Sequence, residues 1–68
     1  KIYPNPVNDV VYIANAENQN IEIYNTLGSL VAKIDNASSN QAIDLSNFNN
    51  GTYFAKVNGE VFKFTVIK

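Results

Sequence analysis

The chain has 68 residues, enough for one small domain, and a domain of that size buries only about 60% of its unfolded surface. Hydrophobic residues make up 46% and charged residues 16%, a globular rather than disordered composition. A net charge of −1 with neither Cys nor His excludes a basic nucleic-acid footprint, a polybasic membrane patch, disulfide or thiolate chemistry, and the commonest metal ligand and general base.

In chain order the signals are those of short strands. Ile2-Tyr3 is a strand stub stopped by Pro4 and Pro6, and it suits a sheet edge, where a missing N–H does no harm. Val10 to Ala14 alternates, with Val11 and Ile13 on one face and Val10 and Tyr12 on the other. Asn15 to Asn20 is a polar turn, and Ile21 to Tyr24 alternates again, pairing Ile21 with Ile23. Asn25-Thr26-Leu27-Gly28 is a turn in which Gly28 takes the positive φ. This turn is expected to let Ile23 and Val31 face the same core. Leu30 to Ile34 is the next strand, and Asp35 to Asn40 a second polar loop. Ala42 to Leu45 is short and extended. Ser46 to Asn50 is a tight connection, with Leu45 and Phe48 plugging one end of the core. Thr52 to Val57 puts Tyr53, Ala55 and Val57 on one face. Asn58-Gly59 predicts a type I′ hairpin. Glu60 to Ile67 returns with Phe62, Phe64 and Val66 aligned. About seven short, mostly antiparallel strands with turns every 8 to 12 residues predict an all-β sandwich. Twelve asparagines supply the polarity that charges do not.

No apolar run approaches the roughly 18 residues of a spanning helix. The opening Lys-Ile-Tyr-Pro has neither Met nor an apolar leader, and Met is absent throughout. A piece of a longer protein is therefore expected.

Each constellation that could carry chemistry has a simpler explanation. The acids Asp9, Glu17, Glu22, Asp35, Asp44 and Glu60 show no spacing for acid–base work. Ser29, Ser38, Ser39 and Ser46 have no His to form a triad, so no enzyme and no cofactor is expected. Asn5, Asn8 and Asp9 are hard oxygen ligands in one loop, but Asx-turn chemistry beside Pro4 and Pro6 accounts for them, and no metal site is expected. Asn36-Ala37-Ser38 and Asn50-Gly51-Thr52 match the glycosylation sequon, as chance allows in so Asn-rich a chain. Among the aromatics Tyr3, Tyr12, Tyr24, Phe48, Tyr53, Phe54, Phe62 and Phe64, most are needed as core filler, with Tyr12 and Phe54 the expected exposed exceptions. Lys63 and Lys68 flank Phe64-Thr65-Val66-Ile67. They read either as gatekeepers against edge pairing or as a basic tag seen by a receptor.

The residues Tyr3-Pro4-Asn5-Pro6-Val7, Ile21-Glu22-Ile23-Tyr24-Asn25-Thr26-Leu27-Gly28-Ser29-Leu30-Val31, Ile43-Asp44-Leu45-Ser46 and Gly51-Thr52-Tyr53-Phe54-Ala55-Lys56-Val57, followed by a Lys-bearing last strand, occur in an order and spacing that closely resembles one family. It is the type A C-terminal sorting domain of the type IX (Por) secretion system of Bacteroidetes, and the resemblance covers essentially the whole chain. It implies an Ig-like β-sandwich, with residues 1–68 forming one sorting domain at the end of a longer secreted protein. The type IX translocon and its shuttle components would read it at the outer membrane. A sortase-like cysteine protease commonly removes such a domain, leaving the cargo at the cell surface or released. The family's motif positions fall on Pro4, Pro6, Gly28, Val31, Gly51 and Tyr53, and on the last-strand lysines. The expected partner-binding residues are Lys63, Phe64, Val66 and Lys68, reached by strand addition at an exposed terminal edge. The same edge would permit dimerisation. Neither nucleic acid nor membrane insertion is expected.

Two other readings compete with a sorting signal. One is an Ig-like accessory module for carbohydrate or a neighbouring domain, which would gain if Tyr12, Tyr24 and Phe54 shared one exposed sheet face. The other is a plain spacer.

Overall fold

The computed structural model describes residues 2–68. The strands are β1 (Ile2–Tyr3), β2 (Val10–Ala14), β3 (Ile21–Tyr24), β4 (Leu30–Ile34), β5 (Asn40–Asp44), β6 (Gly51–Val57) and β7 (Glu60–Val66). They form two antiparallel sheets in the orders β1-β2-β5 and β4-β3-β6-β7. The chain crosses between layers after β2, β4 and β5, the connectivity of an Ig-like sandwich.

Period-two alternation builds the core. Val11 and Ile13 of β2 and Ile43 of β5 face inward from one sheet. Ile21 and Ile23 of β3, Tyr53, Ala55 and Val57 of β6, and Phe64 and Val66 of β7 face them from the other, all buried. Val7, Ala16, Ala37 and Leu45 close the layer from the loops, with Phe48 and Phe62 packed against it. No polar or charged side chain is buried among the described residues, so the interior carries no unpaired hydrogen-bonding cost.

Asparagine does more than supply polarity. Asn15, Asn18, Asn36 and Asn58 hold positive φ values of 50–61°, a conformation this side chain tolerates better than most. Asn58 and Gly59 (φ 50° and 80°) make the expected hairpin, and Val57 pairs with Glu60 across it.

Three expectations are corrected. The fifth strand is Asn40–Asp44, so Leu45 lies just past it, a buried plug held by its N–H on the Asp9 carbonyl. The last strand ends at Val66. Val31 does not face the core. The β3–β4 register shifts at Ile23/Tyr24, pairing Ile23 with Ala32 and Tyr24 with Leu30, which makes Val31 the extra residue of a bulge. It is 42% exposed, and Ala32 takes the place expected for it.

Candidate functional site

The segments bearing the motif residues gather at one end of the sandwich and along one edge. At the end lie the β3–β4 turn, the β5–β6 connection and residues 67–68. Tyr53 sits at the start of β6, and its hydroxyl donates to the Asn49 carbonyl four residues upstream at 2.8 Å. This arrangement is the tyrosine corner known from Ig-like sandwiches. The ring packs between Phe48 (centroids 5.1 Å) and Phe64 (5.9 Å). Gly51 precedes it at φ 151°, a region that is essentially glycine's. Gly28 closes the β3–β4 turn at φ 83°, where Asn25 Oδ1 accepts from the N–H groups of Leu27 and Ser29, both at 3.0 Å. An open pocket of about 380 Å³ lies between these turns, lined by Asn25, Val31, Asn47, Phe48, Asn49 and Tyr53.

The edge is β7. Glu60, Phe62, Phe64 and Val66 pair with alternate residues of β6, from Val57 to Gly51. Their backbone groups face β6, so those of Val61, Lys63, Thr65 and Ile67 turn outward. The segment after Pro4 fills much of this outer side. Val7 N–H donates to Thr65 O and Ile67 N–H to Val7 O, both at 2.8 Å. Asn5 Oδ1 accepts from Thr65 N–H at 3.1 Å, and Asn5 Nδ2 donates to Lys63 O at 3.4 Å. The terminal edge is therefore not open from Thr65 onward, contrary to expectation. Along β7 from Glu60 to Val66, the outward groups that remain free among the described residues are the N–H and C=O of Val61 and the N–H of Lys63. Asn5, one of the three oxygen-bearing residues of its loop, thus directs its amide to β7.

The four expected contact residues separate into different environments. Lys63 is exposed on the outer face. Phe64 and Val66 are fully buried, so their side chains offer nothing to a partner. Lys68 is exposed but tied back: its ammonium donates to Ser46 O at 2.6 Å and its N–H to Asn50 Oδ1 at 3.1 Å. Beside it, Asp44 accepts from Ser46 N–H at 2.9 Å. The Ser46 backbone and side-chain hydrogen bonds hold the Asp44 carboxyl below its ordinary range, with the Lys68 charge acting in the same direction.

On the outer face of the four-stranded sheet, the register places Lys33, Glu22, Lys56 and Val61 in one row and Leu30, Tyr24, Phe54 and Lys63 in the next. Tyr24 and Phe54 are half-buried there. The Tyr24 hydroxyl donates to Glu22 at 2.8 Å, which pushes its pKa up. Tyr12 lies on the other sheet, stacked on Tyr3 at 5.6 Å, each ring 37% exposed. The three rings required for a sugar platform do not share a face.

Sequence reasoning missed Asn5 as an edge cap, because its partners lie up to 60 residues away. It also missed Val61 as the open backbone position. A count from the Asn58-Gly59 turn could have found that one, since Glu60, the first residue after it, faces β6 and every second residue from Val61 on turns outward.

The family described as secretion system C-terminal sorting domain matches residues 1–68. The chain is 41% identical to beta-agarase A of Zobellia galactanivorans over 68 aligned residues, which cover 96% of this chain and 13% of that protein. The chain thus spans about an eighth of that relative's length. No solved structure matches.

Proposed function

Because the chain belongs to the family of secretion system C-terminal sorting domains, a family of type IX sorting signals rather than of catalysts, we propose that residues 1–68 act as one self-contained address label. The protein that carries the label is secreted or held at the cell surface. The domain engages the secretion machinery as a folded sandwich. Translocon and shuttle components read it at the outer membrane, and a sortase-like cysteine protease then removes it.

The observation that carries this reading is how the motif residues are used. Gly51 and Tyr53 set a corner, Gly28 closes a turn, and Pro4 and Pro6 lead Val7 onto β7. These residues build a shape. Recognition is assigned to what that shape presents, namely Lys63 and the free stretch of β7 around it. Phe64 and Val66 support this strand from the core, and Lys68 pins the chain end to the β5–β6 connection.

A reporter tests this. Residues 1–68, behind a short linker, are fused to the C-terminus of a periplasm-directed fluorescent protein. The fusion is expressed in a Bacteroidetes host with an active type IX system and in a translocon-null sibling. Fluorescence at the surface or in the medium of the active host alone is expected, with a mass loss of about the 7.5 kDa domain. Periplasmic retention in both hosts, while a control sorting domain exports, would overturn the reading.

A further inference from the structure

The outer face beside the free β7 stretch has a definite charge pattern. Lys56 stands opposite Val61, and Lys63 opposite Phe54. The two lysines are diagonal neighbours across β6 and β7, about 7–8 Å apart at the backbone. Neither forms an ion pair among the described residues, whereas Lys33 on the far edge has Asp35 at 3.8 Å. Glu22, which accepts from the Tyr24 hydroxyl, stands directly opposite both Lys33 and Lys56, so one carboxylate lies between those two lysines. Lys63 has Phe54 rather than an acid directly opposite it, so no carboxylate faces its charge across the ladder, and a cross-strand partner of opposite charge would be favourable there. Immediately beyond Lys56 and Lys63 lie the free backbone groups of Val61 and Lys63, with Val61 62% exposed.

We propose that this stretch receives an extended segment of a protein partner as a fifth strand beside β7, and that Lys56 and Lys63 select a segment carrying Asp or Glu at the position facing Lys63. The inference rests on the sorting-domain reading and names the chemistry of the partner it requires. In an added strand, residues two apart share a face. The residue facing Val61 is then apolar or β-branched and sits two positions from the acid. The backbone groups provide the hydrogen bonds, and the paired lysines provide the discrimination.

The test uses the same export reporter with three variants of the domain. K56Q/K63Q removes both charges. V61P removes an outward N–H that bonds to nothing in the sheet, a substitution an edge strand tolerates. S39E/A42E changes net charge by the same amount on exposed positions elsewhere. Export is expected to fall about tenfold or more in K56Q/K63Q and V61P, the factor that about 1.4 kcal/mol of binding represents, while S39E/A42E exports like the parent. Thermal midpoints confirm that each domain is folded. Unimpaired export of K56Q/K63Q would overturn the proposal. Loss in K56Q/K63Q with normal export of V61P would also overturn it, in favour of an anionic ligand such as an acidic polysaccharide lying flat on the face. If the unmodified fusion is itself retained, the sorting reading falls instead. NMR titration of the unmodified chain with a blocked Val-Glu-Val-Glu-Val-Glu peptide covers the case in which V61P does not fold. The Val61 and Lys63 amides are expected to shift with this peptide and not with its Val-Lys counterpart. No shift at those amides would overturn the proposal.

Discussion

At the scale of single residues, side chains with long-range partners keep this small domain intact. A chain of this length has a stability of about 3–10 kcal/mol, so one hydrogen bond of about 1 kcal/mol counts. Asn5→Ala leaves Thr65 N–H unpartnered and lengthens the free edge of β7. The expected result is a loss of about 1 kcal/mol in denaturant unfolding together with self-association at high concentration by sedimentation. Tyr53→Phe deletes the corner bond and keeps the ring, so a loss of about 0.5–1.5 kcal/mol is expected, with an unchanged fold. Asp44 links stability to pH. Its carboxyl pKa is lowered from the ordinary 3.8 in the folded state. The stabilisation it gives is present above that value and fades as pH falls through the lowered one. The gap in thermal midpoint between the parent and Asp44→Asn should therefore narrow from about pH 6 to about pH 2.5.

At the scale of elements, the strands were legible because alternation and turn chemistry are local. Val11 and Ile13, Ile21 and Ile23, and the Asn58-Gly59 hairpin each declare themselves within a few residues, and the structure has them as read. Val31 was not legible. Its exposure depends on a bulge opposite Ile23/Tyr24, and a one-residue shift moves a side chain to the other face. The free extent of β7 was not legible either, since Asn5 and Val7 reach it from the other end of the chain. Gly51 is the clearest backbone requirement among the motif residues. No atom lies within 4 Å of where its Cβ would stand, so Gly51→Ala costs only backbone strain. That cost is about 1–3 kcal/mol, to be read from denaturant unfolding.

At the scale of the whole molecule, the proposed reading assigns shape and recognition to different residues. The motifs that made the sequence recognisable build the corner, the turns and the chain crossing from β1 to β7. The surface we propose for the partner is the free edge of β7 at Val61 and Lys63, which the motifs support from behind. The measurement that tests this division most directly is export of a reporter carrying Gly51→Ala, followed across temperature beside the folded fraction of the same domain. The account predicts parent-like export wherever the variant is folded and a decline only where it unfolds. Retention of a fully folded Gly51→Ala domain would contradict it, because Gly51 would then be read by the machinery itself.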